Sequence, residues 1–116
     1  MKTIIAGSRT ITDKSVVYDA IWDSGWALEI TEVVSGHATG VDHIGEGWAR
    51  KNGARLKLFP TDWKANGKAA GHIRNRQMGD YAEALIAVWD GQSRGTKGMI
   101  DYARRRGLKV FVCTTT

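Results

Sequence analysis

Val33-Val34-Ser35-Gly36-His37-Ala38-Thr39-Gly40-Val41-Asp42 decides how the rest of the chain is read. A short β-branched run stops at Gly36, and a helical pattern starts at about Val41. Two glycines bracket the turn. Gly36 is open to backbone angles closed to other residues, and Gly40 lets a ligand approach the main chain where the helix begins. The first amides of that helix lack intrahelical partners and stand at the positive end of its dipole, which makes the turn a seat for a phosphate. Such a turn also serves simply to change direction, so its meaning depends on its company.

Strands alternate with helices on either side of it, the pattern of a mainly parallel sheet covered on both faces. Upstream, Thr3 to Ala6 reads as a strand ending at Gly7-Ser8-Arg9, and Asp13 to Ser24 as a helix with Val16, Val17, Ala20 and Ile21 on one stripe. Glu32 to Ser35 is the second strand. The helix after the turn places Val41, Ile44 and Trp48 on one face and ends at Asn52-Gly53, with Gly45 and Gly47 weakening it where something packs closely. Arg55 to Phe59 alternates polar and apolar residues, which assigns it to a sheet edge. A polar loop, Thr61 to Lys68, leads to a helix from about Ala69 to Tyr81. Ala84 to Trp89 is continuously apolar and is therefore expected to be central. The turn Asp90 to Thr96 follows, with Thr96 as helix cap, then a helix burying Met99, Ile100 and Ala103. A strand from Lys109 to Cys113 and a frayed Thr-rich tail close the chain.

The 116 residues suit one domain, and 42% hydrophobic with 25% charged residues is ordinary for a globular protein. No apolar run reaches membrane-spanning length, and Met1 to Gly7 is too short for a signal peptide. The single cysteine, Cys113, reads as an apolar filler in a reducing cytoplasm. A net charge of +5 favours anionic partners, although Arg104-Arg105-Arg106 reads as compensation at a helix C-terminus. Most of the five tryptophans are expected in the core or at an interface.

In open parallel sheets, ligands bind beyond the carboxyl ends of the strands. Gly7-Ser8-Arg9, Gly36 to Asp42 and Gly91 to Thr96 all fall at that end, whereas the opposite loops, Gly25-Trp26 and Gly53-Ala54, lack the same mix of glycine, hydroxyl and arginine. Arg74 and Arg76 lie in the first turns of their helix, where the dipole disfavours a cation. Arg74 shares a stripe with Met78 and Tyr81, so it points toward the sheet or the cleft and needs an anion: a ligand phosphate, or Asp42, Asp62 or Asp90. Arg9 is placed for an anion. Ser8 and Thr39 offer hydroxyls, and Asp42 is suited either to the dipole or to ribose hydroxyls. His37, His43 and His72 have no partner at metal-ligand spacing, so no metal is expected.

On these motifs the chain resembles the SLOG superfamily, in its YspA/YpsA-related group. The carriers are Ile5 to Arg9, Ser35 to Asp42, Ala70 to Met78, and Asp90 through Gly95-Thr96 to Ile100. The resemblance implies a Rossmann-like fold that binds nucleotides or nucleotide-derived ligands. LOG-type phosphoribohydrolases are similar in the arginine, matched by Arg74 or Arg76. Their catalytic glutamate falls on Met99, and a thioether cannot handle a proton, so cleavage of an N-glycosidic bond would need Asp42, Glu46 or Asp90. DNA-processing proteins of the DprA type are similar in the Ser35–Asp42 segment, which implies single-stranded DNA binding as another alternative.

The expectation is thus an α/β fold: a Rossmann-like, doubly wound, mainly parallel five-stranded sheet of order 3-2-1-4-5 with helices on both faces. Its function is expected to be binding of an ADP-ribose, NAD or nucleoside-monophosphate type ligand as a sensor or sequestering module, with no cofactor required. Gly7, Ser8, Arg9, the run Gly36, His37, Ala38, Thr39 and Gly40, and Gly95 with Thr96 would cradle phosphates. Arg74, with Asn75 beside it, would pair with phosphate charge, and Asp42 or Asp90 would take ribose hydroxyls. Family analogy implies a homo-oligomer, with Trp22, Trp26 or Trp63 at the interface. No membrane partner is expected.

Overall fold

A computed structural model describes residues 1–115. The elements in order are β1 (Lys2–Gly7), α1 (Lys14–Asp23), β2 (Glu32–Ser35), α2 (Val41–Asn52), β3 (Arg55–Leu58), α3 (Trp63–Asn66), α4 (Ala70–Tyr81), β4 (Ala84–Trp89), α5 (Arg94–Arg105) and β5 (Lys109–Thr114). Single 3-10 turns occupy Ala27–Glu29 and Gly67–Ala69. The strands form one sheet of order β3-β2-β1-β4-β5, and every pairing is parallel. The architecture is therefore the doubly wound one expected from the alternation of periods.

Two-residue periodicity divides the sheet's side chains between two cores. Ile5, Val33, Ile86 and Val88 join Val17, Ile21, Val41, Ile44 and Trp48 from α1 and α2 on one face. Ile4, Val34, Leu85 and Ala87 meet Met78, Met99, Ile100 and Ala103 from α4 and α5 on the other. β1 sits at the centre, with Ile4 in register between Val34 and Leu85. β3 lies at the edge its alternation indicates, with Arg55 and Lys57 exposed.

Local details depart from the sequence reading in four places. Residues 61–68 are not all loop: Asp62 caps a helical turn, its Oδ1 accepting from the Ala65 amide at 3.0 Å. Ser93, not Thr96, caps α5; its hydroxyl accepts from the Thr96 amide, which puts Thr96 inside the first turn. At the tail, the Thr115 amide donates to the Trp89 carbonyl at 2.7 Å, so the ladder beside β4 outlasts the expected strand, while Thr116 lies outside the described residues. Finally, only one of the two mid-helix glycines of α2 has a close neighbour. A Cβ on Gly45 would stand 2.8 Å from Ile5 Cγ2, whereas one on Gly47 would meet open space.

Candidate functional site

The chain winds from β1 outward to β3 on one side, then returns to lay β4 and β5 on the other. Loops leaving β1 and β4 therefore diverge, and a crevice opens where they part. It holds a cavity of about 390 Å³, lined by Ala6, Gly7, Ser8, Arg9, Thr10, Ala38, Asp42, Arg74, Asn75, Met78, Asp90, Ser93, Gly95, Thr96 and Met99.

The floor is stitched tightly. A Cβ on Gly7 would lie 2.0 Å from the Val88 carbonyl oxygen, so only glycine lets the end of β1 pass β4 at this distance. The buried Ser8 hydroxyl accepts from the Asp90 amide at 3.1 Å, tying the two diverging loops together. Asp90 in turn accepts from the Ser93 and Gln92 amides, both at 2.8 Å, through one carboxylate oxygen. Those two amides hold its carboxyl below the usual range. One oxygen of Asp90 thus shapes the β4–α5 turn.

Arg74 projects from α4 and is only 9% exposed. Its Nη1 donates to the Gly36 carbonyl at 2.7 Å and its Nε to Asn75 Oδ1 at 2.9 Å. The remaining nitrogen, Nη2, has no hydrogen-bond partner among the described residues, and Arg74 forms no ion pair there with Asp42, Asp62 or Asp90. Burial depresses its pKa, the charge of Asp42 opposes that, and the nearby charge of Arg9 adds to it. A guanidinium stays protonated regardless, so a buried positive charge faces the cavity. Asn75 extends the arrangement, its Nδ2 donating to the Gly95 carbonyl at 3.3 Å and fixing α4 against the start of α5. Space beside the Cα of Gly95 is open, and the first amides of α5 lack intrahelical partners.

Asp42 is 5% exposed, and its Oδ2 accepts from the Ala38 amide at 3.2 Å. Burial pushes its pKa up; the Ala38 amide and the charge of Arg74 pull the other way. Asp42 is thus a buried carboxylate on the same cavity as a buried guanidinium, without a direct pair between them. Below both lie the buried thioethers of Met78 and Met99.

The structure brings Gly7, Ser8, Arg9, Ala38, Asp42, Arg74, Asn75, Asp90, Gly95 and Thr96 together on the wall. Gly36, His37, Thr39 and Gly40 stand behind it, for reasons that correct the sequence reading. Gly36 does not take a left-handed backbone; His37 does, at φ 59°. A Cβ on Gly36 would fall 2.2 Å from Arg74 Nη1 and 3.0 Å from Asp42 Oδ2, so any side chain there would displace the guanidinium from its seat. Gly40, at φ 74°, makes room for the Ser8 and Arg9 carbonyl oxygens, each 2.6 Å from a Cβ position, rather than for a ligand. The His37 ring turns to Glu46, its Nδ1 3.0 Å from Oε2, and Ser35 Oγ donates to the same oxygen at 2.8 Å. Glu46 is 0% exposed and engaged there, which removes it as a stand-in for a catalytic glutamate in the crevice. Thr39 is exposed on the outer side of the turn.

Sequence reasoning passed over Ser93 and Thr10 on the wall. For Ser93 a signal was present, since Asp90-Gly91-Gln92-Ser93 has the spacing of a side-chain-capped turn. Among the described residues, no three His, Cys, Asp or Glu side chains are grouped to hold a metal ion. No described helix is long and apolar enough to cross a membrane.

Comparison with known proteins agrees with the fold. In the solved structures, the fold matches the DNA processing protein A (DprA) of Streptococcus pneumoniae with a TM-score of 0.74 at 19% identity. The match covers 99% of this chain and 50% of that one, so the chain spans half the length of DprA. A Mycobacterium phage D29 protein, the Gene 61 protein, is 34% identical over 95% of this chain and 94% of its own. Residues 1–65, which carry the first three strands and the Gly36–Asp42 turn, match the family model described as YspA, cpYpsA-related SLOG. The chain belongs to the YspA, cpYpsA-related SLOG family.

Proposed function

We propose that the crevice binds a phosphate-bearing nucleotide or nucleotide-derived ligand, of the ADP-ribose, NAD or nucleoside-monophosphate type, as a sensor or sequestering module. One observation carries the reading: Arg74 is buried, forms no ion pair and leaves Nη2 without a hydrogen-bond partner among the described residues, and lines a cavity that a second arginine, Arg9, also lines. The charge of Arg9 acts on Arg74 alongside that of Asp42, and a phosphate in the cavity would sit against both guanidinium groups. Phosphate suits that setting, with the Arg94 and Gly95 amides at the start of α5, ahead of the Ser93-capped Thr96 amide, adding donors. Asp42 and Asp90 are acceptors for ribose hydroxyls, and Met78 with Met99 offers an apolar surface to a ring. The cavity volume lies within the range of small-molecule sites, about 300–1,000 Å³. No metal or cofactor is required for binding, and the lone thiol of Cys113 suits a reducing cytoplasm.

A thermal-shift screen with ADP-ribose, NAD, AMP, other nucleoside monophosphates, cyclic nucleotides and a short single-stranded oligonucleotide tests the proposal. A ligand at a hundred times its Kd adds about 2.7 kcal/mol to stability, and Arg74→Ala should abolish the rise. A rise with the oligonucleotide alone, erased by salt, would transfer the function to single-stranded DNA, a reading supported by the net charge of +5. Product analysis on each stabilising nucleotide tests hydrolysis of an N-glycosidic bond. That reaction would fall to Asp42, the buried carboxylate on the wall, because Met99 carries no proton-transferring group.

A further inference from the structure

We propose that Glu46 is a positioning residue for the crevice: through Ser35 and His37 it holds the Gly36 carbonyl on which the Arg74 guanidinium is seated. The inference rests on the crevice being the ligand site described above. Glu46 lies on α2, is 0% exposed and does not line the cavity. A carboxylate that deep is costly unless it is bonded, and its closest partners belong to the turn between β2 and α2. Ser35 Oγ donates to Oε2 at 2.8 Å, and His37 Nδ1 lies 3.1 Å from Oε1 and 3.0 Å from Oε2. A carboxylate only accepts, so Nδ1 carries the hydrogen. The triangle closes on itself, because the His37 amide donates to Ser35 Oγ at 3.1 Å. Arg50 Nη2 stands further off, 3.8 Å from Oε1, on an exposed side chain.

Gly36 is the residue that this triangle encloses. Its carbonyl accepts from Arg74 Nη1 at 2.7 Å, and it has no side chain by which to be held. Its place is therefore set by its neighbours, Ser35 on one side and His37 on the other. His37 stands at φ 59°, a left-handed backbone that a histidine adopts at a cost and keeps only where other contacts determine it. Glu46 supplies such a contact through the ring. One turn earlier on α2, Asp42 Oδ2 accepts from the Ala38 amide at 3.2 Å. Two carboxylates four residues apart on one helix thus hold Ser35, His37 and Ala38, and Gly36 alone is left to Arg74. For stability alone, a well-packed apolar side chain would serve a fully buried site as well as a carboxylate does. What the carboxylate adds is a fixed direction for the turn.

Two substitutions of His37 separate its link to Glu46 from the backbone angle it adopts. Glycine takes positive φ freely but has no ring. Asparagine also tolerates the left-handed region, and its side-chain nitrogen lies the same number of bonds from Cα as Nδ1. AMP affinity, measured by isothermal titration, should fall about tenfold in His37→Gly, the order expected for losing a hydrogen bond to a charged group. Glu46→Ala should lose at least as much, and His37→Asn should restore most of it. A second readout needs no ligand. The Arg74 Nε–H signal in a proton–nitrogen correlation spectrum, identified by its loss in Arg74→Lys, should move in His37→Gly and return in His37→Asn. Should Glu46→Ala fail to fold, the His37 pair decides the matter without it. Glycine and asparagine variants that behave alike overturn the proposal, because the backbone angle alone would then suffice. So does an Arg74 signal unmoved by His37→Gly. A wild-type chain that does not bind AMP would remove AMP from the crevice, and the Arg74 signal would still uphold or overturn the positioning.

Discussion

One hydrogen atom in place of a methyl group decides where the charge of Arg74 goes. The Gly36 carbonyl and Asn75 hold two of its nitrogens and leave the third without a partner among the described residues. Gly36→Ala would put a carbon against Nη1 and expel the guanidinium, an overpacking cost of about 1–3 kcal/mol that should appear as a lower Tm together with a lost ligand response. Arg74→Lys keeps the charge but cannot span both anchors, so nucleotide affinity should fall while the fold persists. Asp42 carries the pH dependence. Its pKa is raised on folding, so the folded chain takes up the proton more readily than the unfolded one, and the cost of the buried charge is present at neutral pH. Asp42→Asn should therefore melt at or above the wild type at pH 7, with the difference closing as pH falls toward the ordinary aspartate value of 3.8. From sequence, the stripe shared with Met78 was enough to turn Arg74 inward. Its anchor at Gly36, 38 residues away, was not visible, because no local pattern encodes a contact between a helix and a distant carbonyl.

At the scale of elements, α2 contains its own control experiment. Gly45 packs against Ile5, so Gly45→Ala should destabilise, whereas Gly47→Ala meets open space and should gain about 0.5–1 kcal/mol of helix propensity. Thermal melts of the two variants should move in opposite directions. Strand identity, sheet order and the edge position of β3 were all legible, because buried β-branched runs and alternation report directly on how many faces a strand covers. The caps were less so. Thr96 and Ser93 both have the chemistry of a cap, and the choice fell to Ser93 because Asp90 folds the preceding turn and fixes where the helix starts. The turn at Trp63–Asn66 was read as loop because four residues are too few to show a helical period.

Across the whole molecule, the crevice is a seam between two wings that meet along β1 and β4. The first wing, β1 to β3, supplies Ser8, Arg9 and Asp42; the second, from α4 onward, supplies Arg74, Asn75, Gly95 and Thr96. The Ser8–Asp90 and Arg74–Gly36 hydrogen bonds cross the seam. The largely exposed residues 61–68 join the wings on the surface. With the crevice binding a nucleotide as proposed, that connection lends the fold to a two-piece design. Cut within residues 61–68 and expressed as separate fragments, the halves would each carry an incomplete wall, and a bound nucleotide would favour their reunion. Fused to the halves of a reporter enzyme, such fragments would convert occupancy of the crevice into a signal inside a living cell.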